Sequence, residues 1–438
     1  MDVQKCGKCL AYGDRWLPTE PKNLRIGGTE LPLMVYNSLS RRKEPFSPSG
    51  DSVKIFVCGP TVYDYLHLGH ARTYVAFDII ARYLRFSGYD IRYLMNITDV
   101  ADRLVDRAKE ARKAPLELAR EYEKAFFEDM QALGITSVQK YERASDYIPQ
   151  IIDQIVGLVN KGMAYETSTG VYFKVSKFPK FGQLSGLSPE ELTLKRLELC
   201  SSKKNVEDFS LWRKHEKGFG WDSPWGFGRP GWHVEDTAIS ITNLGETYDV
   251  HGGASELIFP HHEAEIAQAE ALTGKAPFVR FWLHTGLLSV KGRKMSKSLG
   301  NVIRIRDALK EHTVAELRYY FASFHYREPV TISEEELRSA RKAHESLTAN
   351  FKTFMARPTA SGSTNSKKLG TIVRKEEALF KAHMDNDFDT PNALKTLMIL
   401  SEELKRFSKS IYHVNQESKA EAERVFRGML GVFGMTVD

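Results

Sequence analysis

Two histidines flank a glycine in the HLGH turn, the run His67, Leu68, Gly69 and His70, which follows a strand-like segment and precedes a helical pattern. Because glycine has no side chain, a ligand can approach the backbone closely at Gly69. The first N–H groups of the following helix favour phosphate. The two imidazoles can donate hydrogen bonds to charge that develops on a phosphate. Two surface histidines in a loop would give the same pattern, so this motif alone does not establish a phosphate-binding site.

A second group of reactive side chains, the KMSKS segment, is the run Lys294, Met295, Ser296, Lys297 and Ser298. Several cations in a glycine-flanked loop can clamp the pyrophosphate part of a nucleotide after it arrives. By itself, a lysine-rich run is more often a solvated basic loop. The two motifs are therefore informative as a pair.

Metal-ligating side chains occur outside both motifs. His261 and Glu265 are four residues apart, which places them on one face of a predicted helix, as two ligands of one ion require. Cys58 ends a predicted strand just upstream of the HLGH turn. The pair Cys6 and Cys9 near the N-terminus lacks two further ligands nearby, so we assign it no zinc site.

The elements that position these residues alternate between strand and helix. Buried strands are predicted at Val53–Cys58, Ile91–Ile97, Tyr248–His251 and Val279–Leu283. Helices are predicted from His70 to Gly88, across residues 100–165, over residues 260–272 and through most of the chain after Ser333, with one N-cap at Thr390. This order predicts an α/β fold: a doubly wound, Rossmann-type parallel sheet with an inserted subdomain, followed by a helical bundle domain.

Composition excludes several classes of protein. The 438 residues are enough for two to four domains, and a 42% hydrophobic content excludes wholesale disorder. The net charge of +6 permits a polyanionic partner without requiring one. No apolar run is long enough to span a membrane, and four cysteines are too few for a disulfide framework. The N-terminus has no leader pattern, so we expect a cytoplasmic protein.

The sequence resembles the cysteinyl-tRNA synthetases, a family of class I aminoacyl-tRNA synthetases. The HLGH turn and the KMSKS segment are the nucleotide-binding signatures of class I. The resemblance is carried by VCGPTVYDYLHLGHART, NITDVADR, DFSLWRK, SPWGFGRPGWH, FPHHEAEIAQ, KMSKSLGN and DNDFDTPNAL, between about Val35 and Val432.

The resemblance implies one zinc ion per chain at the bottom of the amino-acid pocket. Its ligands fall on Cys58, position 236, His261 and Glu265, and this chain has Asp236 where the family usually has cysteine. A carboxylate can ligate zinc, but it makes the site harder and less selective for sulfur. The resemblance also places His261 and Trp232 beside the amino acid and Thr98 near its backbone groups.

The resemblance further implies roles in ATP binding and catalysis. The catalytic side chains are expected to be His67, His70, Lys294 and Lys297. The ATP contacts are expected to be Gly59, Thr61, Gly69, Met295, Ser296, Lys297 and Ser298. The expected domains are an N-terminal extension (1–30), the two halves of the catalytic domain (31–125 and 206–290), a connective insertion (126–205), the KMSKS loop with a stem-contact region (291–335), and a helical tRNA-binding domain (336–438).

A cysteine–tRNA ligase is therefore the predicted function, with cysteine, ATP, Mg²⁺ and tRNA(Cys) as substrates and partners. A monomer that does not associate with membranes is expected. Two alternatives stay open: a ligase that joins activated cysteine to a small amine, and a catalytically inert paralogue that binds tRNA. The intact motifs argue against the inert paralogue, and the DNDFDTPNAL stretch, typical of the tRNA-binding tail, argues against the small-amine ligase.

Overall fold

The computed structural model describes residues 32–188, 191, 202–290, 292–295, 300–360 and 366–437. Its strands are β1 (Met34–Asn37), β2 (Arg42–Pro45), β3 (Ser52–Val57), β4 (Asp90–Ile97), β5 (Lys140–Arg143), β6 (Ala164–Glu166), β7 (Gly170–Phe173), β8 (Phe209–Lys214), β9 (Gly228–Pro230), β10 (Tyr248–Ala254), β11 (Val279–Thr285), β12 (Leu288–Val290), β13 (Arg293–Lys294) and β14 (Val330–Ile332). Its α-helices are α1 (Leu68–Phe86), α2 (Asp102–Ala111), α3 (Pro115–Ala132), α4 (Ile148–Asn160), α5 (Trp232–Leu244), α6 (Glu263–Thr273), α7 (Ile305–Glu311), α8 (Val314–Ala322), α9 (Glu334–Met355), α10 (Ser366–Met384), α11 (Thr390–Ser410) and α12 (Gln416–Val432).

The central sheet has five parallel strands in the order β11, β10, β3, β4 and β5. Helices flank this sheet, which confirms the predicted Rossmann-type α/β class. The chain moves outward from β3 to β4 in one direction and returns to pair β10 on the other side of β3. In such sheets the point where the strand order reverses opens a crevice at the carboxyl ends of the strands, where ligands bind. Here that point lies between β3 and β10.

Helix α1 begins in the HLGH turn, and one of its faces packs in the core. Its buried face includes Val75, Ile79 and Leu84, spaced as an amphipathic helix requires. The helix begins at Leu68 with His67 as N-cap, two residues earlier than predicted, because the His67 ring accepts a hydrogen bond from the Gly69 N–H. It ends before Gly88, as predicted, and that glycine has a φ of 90°.

An inserted subdomain separates β5 from β10. Its four-stranded sheet, β6 to β9 in chain order, is antiparallel and packs with α4 and α5 around a second hydrophobic core. This sheet runs from Ala164 to Pro230 and so extends across the expected division at residues 205 and 206. The region 100–165 contains the predicted helices but also β5, an edge strand.

A helical domain follows β14 and consists of α9 to α12. Its apolar residues belong to the same continuous core as α1, so the helices pack directly against the catalytic domain. The N-cap predicted at Thr390 is wrong: Asp389 caps α11 by accepting the Asn392 N–H at 3.2 Å, and Pro391 is the second helical residue. None of the described helices is long and apolar enough to cross a membrane.

Candidate active site

Cys58 lies directly after β3, at the crevice where the strand order reverses. Its backbone N–H donates to the carbonyl of Gly252 on β10, which fixes the residue between the two strands. The buried Sγ lies 3.1 Å from Nε2 of His262, 3.3 Å from Oδ2 of Asp236 and 3.4 Å from Nε2 of His251. The fold thus surrounds one thiol with side chains from distant segments.

The ring of His261 lies close to two carboxylates of the site. Its Nε2 lies 3.2 Å from Oδ2 of Asp236 and 3.1 Å from Oε1 of Glu265. The predicted helix over residues 260–272 begins only at Glu263, and His261 belongs to the irregular turn over residues 258–262. The pair expected from helical spacing therefore meets, although only Glu265 is on the α-helix.

We call Cys58, Asp236, His261, His262 and Glu265 the donor cluster. One ligand atom each from Cys58, His261, His262 and Glu265 lies within 4.8 Å of the others. Sequence reasoning gave His262 no ligand role. The signal available for it was the pair of adjacent histidines between a strand and a helix.

Outer hydrogen bonds orient two members of the donor cluster. Asn96 Nδ2 donates to Oδ1 of Asp236 at 2.8 Å, which leaves Oδ2 directed at the thiol and His261. Nδ1 of His262 is 2.8 Å from Nε2 of His284. Metal-ligating imidazoles and carboxylates typically have such second partners, which fix the orientation of the ring or carboxyl group.

Burial shifts the pKa values of several groups in the donor cluster. Burial, with Asp236 and Glu265 nearby, raises the pKa of the Cys58 thiol, and burial together with Asp236 raises the pKa of Glu265. Burial and neighbouring histidines lower the pKa of His262. Among the described residues, neither carboxyl oxygen of Glu265 has a hydrogen-bond partner, although His261 is close. A divalent cation would satisfy these oxygens and favour the thiolate, so the donor set fits a metal ion.

The HLGH turn follows the same end of β3 and begins nine residues after Cys58. The His67 N–H donates to Nδ1 of His70 at 3.2 Å, and the two rings are 3.9 Å apart between centroids. A side chain at Gly69 would clash with the His67 ring, since an added Cβ would lie 2.9 Å from it. Cε of Met295, which is buried, would lie 3.3 Å from the same added Cβ. The turn thus presents two partly exposed imidazoles on a helix N-terminus.

Comparisons with known proteins identify the arrangement. The family of class I (C) tRNA synthetase catalytic domains matches residues 46–342, and the DALR domain family matches residues 379–437. The cysteine–tRNA ligase of Thermococcus onnurineus (strain NA1) is 43% identical over 416 residues, which cover 93% of this chain and 87% of that protein. The cysteine–tRNA ligase of Pyrococcus furiosus is 44% identical over 414 residues, with the same coverage. This chain belongs to the cysteine–tRNA ligase family.

Solved structures agree with the fold of this ligase family. Mycobacterium tuberculosis methionyl-tRNA synthetase in complex with methionyl-adenylate is 15% identical to this chain and has a TM-score of 0.65. The match covers 88% of this chain and 90% of that one. At this identity the likeness concerns the fold alone.

The family's amino-acid pocket is predicted beside the donor cluster. Trp232, with 43% of its surface exposed, stacks on the His261 ring with centroids 4.3 Å apart. Thr98 is buried, and its hydroxyl accepts a hydrogen bond from Asn96 at 3.3 Å. The structure thus brings Trp232 and His261 together at the edge of the cluster and links Thr98 to it through Asn96.

Two residues expected to contact ATP also have structural roles. An added Cβ at Gly59 would lie 1.7 Å from the carbonyl oxygen of Asn96, so the glycine permits close approach of two backbones. Thr61 forms a parallel bridge with Thr98 that extends the sheet beyond β3. Whether either also contacts the nucleotide stays a prediction.

The KMSKS segment is described only in part. The side chain of Lys294 and residues Ser296, Lys297 and Ser298 lie outside the described residues. Met295 of the segment and the chain that follows the segment both reach the HLGH turn. Met295 packs at Gly69, and Leu68 donates its N–H to the carbonyl of Ile303 at 2.9 Å.

Proposed function

We propose that this chain activates cysteine with ATP to cysteinyl-adenylate and transfers the cysteinyl group to the 3′ end of tRNA(Cys). The observation that carries the proposal is the placement of two different sites at the end of one strand. The donor cluster, suited to a thiol substrate, follows β3 at Cys58, and the HLGH turn, suited to phosphate, follows it a few residues later. A substrate between them would have its sulfur and its reacting carboxyl group directed at opposite sides.

The proposed first step needs positioning and charge stabilisation rather than a side-chain nucleophile. The cysteine carboxylate attacks the α-phosphorus of ATP, and the bond to pyrophosphate breaks. His67 and His70 donate hydrogen bonds to the charge that develops on the phosphate. Lys294 and Lys297 hold the β- and γ-phosphates, with Mg²⁺ sharing their neutralisation. A hydroxyl of the terminal adenosine of tRNA then takes the acyl group, and AMP leaves.

A zinc ion would be held by Cys58, Asp236, His261 and Glu265, with His262 as a further donor within reach. When bound, zinc supplies a Lewis acid that prefers a thiolate to the protonated hydroxyl of serine, which shape alone separates poorly. Trp232 covers the side chain of the amino acid, and Thr98 faces its polar backbone groups. Asp236 keeps its orientation through Asn96.

The match to a DALR domain and the helical architecture of α9 to α12 support binding of tRNA by the C-terminal region. We place the protein in the cytoplasm, since its four cysteines suit a reducing compartment. We also propose that it is a monomer. Light scattering tests the monomer, and the domain boundaries given above stand as part of this proposal.

The test is an assay of each step with cysteine and with serine, alongside the metal content of the protein. We expect cysteine-dependent exchange of pyrophosphate into ATP, charging of tRNA(Cys) with cysteine, and about one zinc per chain. Pyrophosphate exchange without charging would favour the small-amine ligase. Binding of tRNA without exchange would favour the inert paralogue. Equal exchange with serine would contradict the proposed role of the donor cluster.

A further inference from the structure

A short loop between α8 and β14, residues 325–328, is held from one side by a buried arginine. Arg72, on α1 directly after the HLGH turn, is 1% exposed. Its guanidinium donates to the carbonyl oxygens of His325 at 3.0 Å and Glu328 at 2.7 Å, and to Gly286 at 3.3 Å. The backbone of the loop is therefore fixed to the helix that carries the two catalytic histidines.

The same loop is also held by a buried carboxylate of the helical domain. Asp387, between α10 and α11, is fully buried and accepts hydrogen bonds from the Tyr326 hydroxyl at 2.9 Å and from Arg327 Nε at 2.9 Å. It also accepts the N–H of Tyr36 on β1 at 2.8 Å. One side chain thus joins the helical domain to two separate segments of the catalytic domain.

The backbone around Asp387 strengthens this junction. The Asp387 N–H donates to the carbonyl of Met34 at 2.7 Å, and the Met34 N–H donates to the carbonyl of Asp385 at 2.8 Å. Asp387 and Phe388 both have a positive φ, of 64° and 54°, which costs energy for residues other than glycine and is tolerated best by aspartate and asparagine. The segment between α10 and α11 therefore has a strained backbone that places the Asp387 carboxylate in the junction.

We infer that Asp387 is a positioning residue for the transfer of cysteine to tRNA. It fixes the helical domain, through the loop at residues 325–328 and Arg72, to the helix that carries the HLGH turn. A tRNA bound by the helical domain then presents its 3′ end to the adenylate in one orientation. Formation of the adenylate needs only the catalytic domain and does not depend on this contact. The expected effect on tRNA charging rests on the proposed function, whereas the contact between the two domains does not.

Asp387→Asn is the decisive variant, because asparagine keeps the size of the side chain and its tolerance of a positive φ while it removes the charge that pairs with Arg327. Tyr326→Phe removes one of the hydrogen bonds and serves as a milder second variant. Asp389→Asn is the matched control: it makes the same change in the same loop at an N-cap, where both residue types are equally suitable.

We expect Asp387→Asn to lower kcat/KM for charging of tRNA about tenfold, the usual size of a coupling between two sites. Cysteine-dependent pyrophosphate exchange should stay within about twofold of the unmodified enzyme, as for distant independent sites. Tyr326→Phe should show the same selectivity with a smaller loss, and Asp389→Asn should show neither. A parallel loss of exchange and charging, or no loss of either, would overturn the inference.

A measurement independent of activity separates this inference from the proposed function. Spin labels at Lys109→Cys on α2 and Tyr412→Cys after α11, both exposed sites, report the distance between the two domains. The background has Cys6, Cys9 and Cys200 replaced by serine. Asp387→Asn should broaden or shift the distance distribution, and Asp389→Asn should leave it unchanged. An unchanged distribution for Asp387→Asn would refute the positioning role, even if the chain charged no tRNA.

Discussion

The donor cluster and the HLGH turn lie at the end of the same strand but are built in opposite ways. The donor cluster brings together side chains from three chain segments, all of them buried, and its contacts are between side chains. The HLGH turn consists of four consecutive residues held by local hydrogen bonds of a helix N-cap, and its imidazoles are partly exposed. The first site depends on contacts between distant segments, whereas the second is formed mainly by one helix end.

Under the proposed function, the donor cluster selects the amino acid and the HLGH turn takes part in the reaction. A buried, preorganised cluster can distinguish two small side chains because a buried polar group that is left without its partner costs free energy. An exposed helix N-terminus binds any phosphate and contributes when charge develops there. Changes in the donor cluster should therefore alter metal binding and selectivity, while changes in the HLGH turn should alter the rate.

The largest effect on the rate should come from His67→Asn. Asparagine is among the best N-cap residues, so the helix keeps its cap while the imidazole is lost. The rate of pyrophosphate exchange should fall about 100- to 1000-fold, as when one donor to a developing charge is removed. Exchange kinetics together with thermal unfolding check this.

The melting temperature of that variant should stay close to the unmodified value, and His413→Asn, an exposed change in the helical domain, should affect neither quantity. A fall in stability that accounts for the lost rate would contradict the separation between the two sites.

Glu265→Gln should have the largest effect on the metal. Glutamine keeps the shape and removes the charge of this buried, proposed ligand, whose oxygens have no hydrogen-bond partner among the described residues. The affinity for zinc should fall more than about 100-fold, beyond the loss typical of an outer partner. Competition with a chelator measures this.

In the absence of metal, the same substitution should raise the free energy of unfolding. Because the buried carboxylate is costly without a cation, metal-free Glu265→Gln should be about 1 kcal/mol more stable than the metal-free parent. Glu263→Gln, two residues earlier in α6, is the control: its carboxylate accepts hydrogen bonds from the backbone N–H groups of residues 184 and 185, so this variant should be less stable. Equal zinc affinity in both variants would argue against Glu265 as a ligand.

The two regions also differ in how well the sequence predicted them. The HLGH turn could be predicted because its contacts are local: residues at i, i+2 and i+3 make the N-cap. Strands β3, β4, β10 and β11 could be predicted because each is a short segment with buried β-branched or aromatic residues, which are typical of strands. Strand β5 was missed because its residues, Lys140 to Arg143, have no buried apolar side chain to reveal it.

The donor cluster was predicted only through the resemblance, and incompletely. Nothing local indicates that His262 reaches Cys58, 204 positions away, since that contact depends on the turn before α6 and the register of β3 with β10. The N-cap at Asp389 was misplaced by one residue because Asp389 and Thr390 are both good N-cap types, and in the structure the Thr390 hydroxyl donates instead to the carbonyl of Phe324 at 3.3 Å. Long-range contacts decided each of these points.

A smaller loss of metal affinity should follow changes in the outer partners, and it identifies which donors bind the ion. Asn96→Leu removes the hydrogen bond that orients Asp236, and His284→Asn alters the partner of His262. Loss of an outer partner typically lowers metal affinity about 10- to 100-fold. We expect that loss for Asn96→Leu, measured by competition with a chelator. No loss there, with a loss for His284→Asn, would assign the ligand role to His262 instead of Asp236.

The smallest effect is expected from Asp236→Cys, which tests whether the carboxylate limits selectivity. A second thiolate makes the site softer and should favour sulfur over oxygen. The gain is opposed by the loss of the shorter of the two hydrogen bonds of Asn96 Nδ2, which would keep only its bond to the Thr98 hydroxyl. We therefore expect cysteine over serine discrimination in pyrophosphate exchange to rise only about threefold to tenfold, at most about 1.4 kcal/mol. Asp236→Ser, which offers neither thiolate nor carboxylate, should lose metal and discrimination together. If Asp236→Cys instead lowered discrimination, the hydrogen bond from Asn96 would matter more to selectivity than the softness of the ligand.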